Sequence, residues 1–169
     1  MSTTTVPRSL DLSRDDLPGL AVAVLLCEAV GASPAFVTRT GLSTWYVALN
    51  RPAFTPPNWV FGPVWTFLFF LLGVAVYLVW RDGRGTRAGR IALGAFVGQF
   101  ALNVAWTLAF FGQQSIGGGL VVIAALWLAI AATVVAFARV HRGAALLLVP
   151  YLLWVSFAGV LNAAIWTLN

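Results

Sequence analysis

The side chains best suited to ligand chemistry in this sequence are tryptophans that fall inside long apolar segments rather than at their ends. They are Trp65, Trp106, Trp127 and Trp154. A buried indole offers a large flat face and an N–H group that needs a partner, so such residues suit the stacking of a flat, apolar molecule. We interpret Trp65 and Trp154 as ligand-facing, whereas ordinary packing is the simpler explanation for Trp106 and Trp127.

Polar side chains are rare inside the same apolar segments. Gln99 and Asn103 are four residues apart and share one helical face, and Asn162 lies in the last segment. Polar groups within a bilayer usually face the interior of a helical bundle. These amides therefore either hydrogen-bond between helices or anchor a polar part of a ligand. Glu28 has the same two interpretations, a protonated or hydrogen-bonded structural group or a functional one.

The sequence lacks the residue sets that most enzymes need. His141, Cys27 and Met1 are its only histidine, cysteine and methionine. A zinc or di-iron site, axial haem ligation by these residues and a Ser-His-Asp hydrolase are therefore not expected. No metal is predicted, and any reaction must use aromatic rings, amides and hydroxyls, or the chemistry of the ligand itself.

The composition predicts that these residues are positioned by membrane-spanning helices. The chain is 60% hydrophobic and only 9% charged, and the ranges 52–80, 91–138 and 143–169 contain no charged residue. About 20 residues cross a bilayer as a helix, and backbone in lipid must satisfy its own hydrogen bonds. We therefore predict an all-α integral membrane protein, a single five-helix bundle over 17–169 after a short tail over 1–16. The predicted spans are about 17–37, 59–80, 90–111, 118–138 and 144–166.

Charge distribution sets the expected topology. All ten basic residues are arginines, and in the five-span arrangement eight of them lie on one side, which indicates a cytoplasmic N-terminus. This asymmetry explains the net charge of +5 without nucleic acid. The first span could be read as a signal peptide, but three aspartates precede it, so we expect it to be retained. Arginine without lysine suggests a GC-rich bacterial genome and hence a bacterial cell membrane.

Small residues and further aromatic residues complete the pattern. Gly94 and Gly98, continued by Ala101 and Ala105, form a helix face suited to close contact within the protomer or in a homodimer. Prolines at 52, 56 and 57 stiffen the approach to the second span. The remaining tryptophans lie near predicted span ends, as an interfacial belt would; they are Trp45, Trp59, Trp80 and Trp166.

Three ordered blocks resemble the TspO/translocator protein family, also called the peripheral benzodiazepine receptor family, in its bacterial form. The first block is Trp45-Tyr46-x-x-Leu49-x-Arg51-Pro52-x-x-x-Pro56-Pro57-x-Trp59 with Phe61-Gly62-Pro63-Val64-Trp65. The second is Gln99-x-x-Leu102-Asn103-x-x-Trp106 with Phe110-Phe111-Gly112, and the third is Pro150-Tyr151-Leu152-x-Trp154-x-x-Phe157-Ala158-x-x-Leu161-Asn162. The resemblance runs from about residue 42 to the end.

The resemblance implies a five-helix protein, commonly dimeric, that binds porphyrins as well as synthetic isoquinoline carboxamides and benzodiazepines. It also implies that some bacterial members degrade protoporphyrin in light, with the reactive tryptophans falling on Trp65 and Trp154. Phe54 stands where many members have tryptophan. The cholesterol-contact pattern of animal members is absent from 161–167, so cholesterol recognition is not carried over.

With what the resemblance implies, we predict a tetrapyrrole-binding membrane protein without an intrinsic cofactor, acting in sensing, transport or sequestration under porphyrin stress. A porphyrin such as protoporphyrin IX would insert between Trp65 and Trp154, with its propionates near a basic rim at Arg51. Light-dependent porphyrin degradation and a passive membrane adaptor are the alternatives. The expected ligand-binding residues are Trp45, Arg51, Pro52, Phe54, Phe61, Gly62, Trp65, Asn103, Trp106, Trp154, Ala158 and Leu161.

Overall fold

A computed structural model describes residues 13–169, except for the side chains at 36, 40, 42 and 43, so most of the predicted N-terminal tail lies outside the described residues. The described part is all-helical. After a short 3₁₀ turn over Arg14–Asp16, its helices are α1 (Leu17–Ala32), α2 (Ala35–Ser43), α3 (Trp45–Ala48), α4 (Asn58–Gly83), α5 (Arg87–Thr107), α6 (Ile116–Ala138), α7 (Arg142–Leu147) and α8 (Val149–Leu168).

Four helical segments in the described part are long and apolar enough to cross a membrane. They are Asn58–Gly83, Arg87–Gly112, Ile116–Ala138 and Arg142–Leu168, the last of which joins α7 to α8. Each extends up to three residues beyond the predicted span, because polar caps begin several of them: Thr86 accepts a hydrogen bond from the Gly89 amide, and Ser115 accepts one from the Gly118 amide. The protein is a multi-pass membrane protein.

The predicted first span over 17–37 is wrong as one continuous helix. α1 ends at Ala32 and α2 begins at Ala35. Pro34 lacks the N–H that would continue the ladder, and the Val30 carbonyl accepts instead from the backbone and hydroxyl of Ser33. At 16 residues, α1 is about 24 Å long, less than the roughly 30 Å hydrocarbon core.

Helix α1 packs closely along α4 because glycines remove side chains from the contact. A Cβ added at Gly73 would lie 2.5 Å from the Val24 Cα, and one at Gly31 would lie 2.4 Å from the Phe69 ring. The other main helix pairs are α5 with α6, α6 with α8, and α4 with α5. This packing leaves the end of α1 beside the first half of α4.

Charged side chains connect three segments at the opposite end of α4. Asp16 accepts hydrogen bonds from the Tyr77 hydroxyl and the Arg81 guanidinium, and Arg81 also donates to Asp82 at 2.9 Å. The Tyr77 hydrogen bond is the main reason that the pKa of Asp16 falls to about 2. His141 caps α7 through Nδ1, and its Nε2 lies 3.9 Å from Asp82. The start of α1, the end of α4 and the α6–α7 connection therefore meet at one end of the bundle.

The end of α5 widens into a π-helical segment, Leu108–Gly112. The amide of Gln113 donates to the carbonyl of Leu108, five residues earlier. Such widened turns change which residues share a helix face, and they often occur at functional sites. Here the segment carries Phe110 and Phe111 to the same cavity as Trp106.

Candidate functional site

A cavity of about 650 Å³ lies between α1–α2, α4, the end of α5 and α8. Its size is within the usual 300–1,000 Å³ range of sites for small organic ligands. The residues that line it are Glu28, Gly31, Ala32, Pro34, Ala35, Thr38, Arg39, Tyr46, Asn58, Trp59, Phe61, Gly62, Trp65, Thr66, Phe69, Asn103, Trp106, Thr107, Phe110, Phe111, Ala158, Leu161, Asn162 and Ile165.

The α4 wall carries three of the predicted residues within five consecutive positions. Phe61, Gly62 and Trp65 all line the cavity. The Trp65 ring stacks on Phe69, with ring centroids 5.4 Å apart, and meets Tyr151 edge-on at 6.2 Å. A Cβ added at Gly62 would have no neighbour within 4 Å, so the missing side chain leaves open space in this wall.

The α5 wall combines rings with fixed amides. Asn103 is buried and donates to the Tyr151 hydroxyl at 3.1 Å. The Trp106 ring stacks on Phe110 at 5.6 Å, and its indole N–H donates to the Asn162 side-chain oxygen at 3.4 Å. The amides of Asn103 and Asn162 thus form hydrogen bonds between helices and also line the cavity. A structural role and a position beside a ligand are therefore compatible for both residues.

The α8 wall brings in Ala158 and Leu161 but leaves Trp154 outside the lining. The Trp154 ring lies 5.9 Å from the Phe61 ring and 5.5 Å from the Phe157 ring, so it packs against one lining residue without lining the cavity itself. The buried indole N–H of Trp154 has no hydrogen-bond partner within residues 13–169. The structure therefore does not bring Trp65 and Trp154 together as two faces of one slot.

Four other predicted ligand residues also lie outside the lining of this cavity. Trp45 packs edge-on against Phe110 at 5.3 Å, and Phe54 packs against Phe157 at 6.4 Å. Pro52 and Arg51 belong instead to a shallow depression formed by the α3–α4 loop. The Arg51 guanidinium lies over the Tyr46 ring, 5.2 Å from its centroid, so this side chain supports the aromatic end of the site.

Several lining residues were absent from the predicted set. Tyr46, Phe110 and Phe111 form a mutually packed aromatic group at one end. Glu28 and Arg39 are the only charged residues among the described lining residues. The sequence offered one signal for Glu28, a carboxylate at membrane depth, whereas Arg39 was counted only in the charge asymmetry.

The small-residue face of α5 does not line this cavity. Added Cβ atoms at Gly94 and Gly98 would meet nothing within 4 Å, and Ala101 is exposed while Ala105 is partly buried. These glycines therefore make no close helix contact within the described part of the protomer. Gln99, four residues before Asn103, is fully buried, and neither of its amide atoms has a hydrogen-bond partner among the described residues.

The described part of the chain contains no cluster of side chains typical of a metal site. No group of three or more His, Cys, Asp or Glu side chains that could hold an ion occurs within residues 13–169. What the geometry offers is a mainly aromatic cavity with amides at fixed positions and one charged region on the α1–α2 side.

Comparisons with known proteins support the family resemblance of the three sequence blocks, which also supply residues to this cavity. Residues 23–167 match the TspO/MBR family. The chain is 45% identical over 150 residues to the tryptophan-rich protein TspO of Chlorobaculum tepidum, covering 89% of this chain and 95% of that protein. It is 43% identical over 150 residues to the tryptophan-rich protein TspO of Archaeoglobus fulgidus, covering 89% and 96%. It is also 44% identical over 135 residues to the human translocator protein, covering 79% of each chain. The chain therefore belongs to the TspO/MBR family.

Proposed function

We propose that this membrane protein binds a tetrapyrrole in the cavity between α1–α2, α4, α5 and α8, and serves in the sensing, sequestration or transport of porphyrins. The observation that carries the proposal is the cavity itself, about 650 Å³ and lined by Phe61, Trp65, Trp106 and Phe110. Offset and edge-on aromatic contacts stabilise a flat ring system and add to the gain from apolar burial.

The cavity walls suit a flat molecule because contacts within the protein already order several of their aromatic rings in the absence of a ligand. Trp65 is stacked on Phe69, and Trp106 is fixed by Phe110 and by its hydrogen bond to Asn162. Rings that are already ordered lose little conformational entropy on binding. The buried amide of Asn103 adds a polar contact at a defined position.

Titration of the purified protein with protoporphyrin IX tests this function. We expect saturable quenching of tryptophan fluorescence, with about two- to tenfold weaker binding in Trp65→Phe because part of the stacking surface is removed. Trp127→Phe is the matched control, since Trp127 donates to Ser156 at 2.8 Å and does not line the cavity. Quenching that never saturates, or equal effects of the two substitutions, would contradict the proposal.

Light-dependent porphyrin degradation stays a prediction from the resemblance. Of the two tryptophans that the resemblance assigns to this reaction, Trp65 lines the cavity and Trp154 does not, which favours Trp65 for contact with a bound ring.

We further propose a five-span topology with a cytoplasmic N-terminus, in which α1 and the start of α2 together make the first crossing despite the break at Pro34. The Asp16–Arg81 ion pair and the 3.9 Å approach of His141 to Asp82 gather the start of α1 and two arginine-bearing connections at one end of the bundle. Positive charge favours the cytoplasmic side. A cysteine introduced at Arg84 should react with an impermeant thiol reagent only after bacterial cells are permeabilised, and labelling of intact cells would contradict this orientation.

We also propose that the exposed face of α5 forms a homodimer. A Cβ added at Gly94 or Gly98 would meet nothing within 4 Å among residues 13–169, which would allow two backbones to approach. Gly98→Leu is expected to convert the dimer to monomer in a mass measurement in mild detergent. Gly159→Leu, where an added Cβ also meets nothing within 4 Å, should leave the mass unchanged. A stable dimer in the Gly98 variant would contradict this interface.

A further inference from the structure

Charge in the cavity is confined to one side. Arg39 and Glu28 are the only charged residues among the described lining residues, and both come from the α1–α2 segment. The walls from α4, α5 and α8 contribute rings, aliphatic groups, amides and hydroxyls. A ligand that fills the cavity therefore meets one region where an ionised group can be matched.

We propose that Arg39 binds a carboxylate of the tetrapyrrole, and so sets a preference for porphyrins with a free acid group; this inference rests on the proposed function. Arg39 is exposed, and no hydrogen bond or ion pair to it is found within the part of the chain that the structure describes. A planar guanidinium can take a carboxylate through two parallel hydrogen bonds, which are stronger than neutral ones.

Arg51 is less suited to this role, although the sequence favoured it as the basic rim. Its guanidinium lies over the Tyr46 ring at 5.2 Å, and it does not line the cavity. A carboxylate that reached Arg51 would compete with this contact. The two arginines thus form a natural pair for a test, since both have the same charge and only one lines the cavity.

The opposite charge of Glu28 restricts where an acid can bind. A carboxylate placed beside Glu28 would be repelled if Glu28 is ionised, and the low dielectric of a membrane site strengthens such effects. The favourable position for a ligand carboxylate is therefore toward Arg39, on the α2 side of the break at Pro34. The aromatic body of the ligand would then extend toward Trp65 and Phe110.

The test compares protoporphyrin IX with its dimethyl ester, which keeps the ring but has no ionised acid. We expect the wild-type protein to bind the acid at least about tenfold more tightly than the ester, or about 1.4 kcal/mol. Arg39→Gln should remove this preference by weakening the acid alone, and unchanged ester binding verifies that the variant is folded. Arg39→Lys should restore part of the preference.

Arg51→Gln is the matched control and should keep the wild-type preference. The inference is overturned if Arg39→Gln keeps the acid preference, if Arg51→Gln abolishes it, or if the wild type binds acid and ester equally. In each case saturable binding would leave the proposed function standing. Failure of both porphyrins to bind the wild-type protein would overturn the proposed function itself.

Discussion

Gly62→Trp is expected to weaken porphyrin binding strongly while the protein stays folded. An added Cβ at Gly62 meets nothing within 4 Å, and the residue lines the cavity, so the new indole can occupy the space that the ligand needs. Overpacking typically costs about 1–3 kcal/mol, so we expect the affinity to fall by roughly 5- to 150-fold in an equilibrium titration.

The matched control for this experiment is Gly159→Trp. Gly159 also has no neighbour within 4 Å of an added Cβ, but it does not line the cavity. Both variants place the same large side chain on a membrane helix, so a general effect of tryptophan would appear in each. Wild-type affinity in the Gly62 variant would show that the ligand binds elsewhere.

Gly73→Leu is expected to destabilise the protein far more than Gly159→Leu, a glycine substitution on α8 where the new side chain enters open space. Gly73 is buried, and an added Cβ would lie 2.5 Å from the Val24 Cα and 3.0 Å from its backbone nitrogen. Backbone cannot move aside as a side-chain end can, so α1 must shift away from α4. We expect a loss of about 3 kcal/mol and a fall of roughly 6–12 °C in the unfolding midpoint, measured in detergent.

The same shift should also weaken ligand binding, because Glu28, Gly31 and Ala32 at the end of α1 form part of the cavity wall. Gly159→Leu serves as the control, since its side chain enters open space and should change the midpoint little. Equal midpoints for the two variants would mean that the close α1–α4 contact contributes nothing to stability.

Much of the fold could be predicted because the controlling interactions are local in sequence. Charge-free apolar runs locate the four long spans, and Thr86 and Ser115 mark where two of them begin. The sequence predicts one continuous first span because the apolar segment resumes directly after Ser33 and Pro34. The helical backbone hydrogen bonds, however, are interrupted at these two residues.

Only part of the site could be predicted from the sequence. The physical reason for success or failure differs from residue to residue. Phe61, Trp65, Asn103 and Leu161 could be anticipated from the resemblance, and they do share one cavity. Trp154 could not be placed, because the position of a residue along α8 does not reveal that its ring packs against Phe61 and Phe157 and does not line the cavity.

Two further features depend on three-dimensional contacts that a single sequence does not show. Arg39 reaches the cavity only because the helix breaks at Pro34 and resumes as α2. Phe110 and Phe111 face the cavity through a widened turn, which changes the register that a regular α-helix would give. In both cases a local irregularity, rather than the periodic pattern, sets the functional surface.

An experimental structure of the protein in complex with protoporphyrin IX would test the proposed binding site most directly. We expect one porphyrin per protomer in the cavity, with its ring against Trp65 and between the α4 and α8 walls. A porphyrin bound on the outer, lipid-facing surface, or an unfilled cavity at a saturating porphyrin concentration, would contradict this proposal.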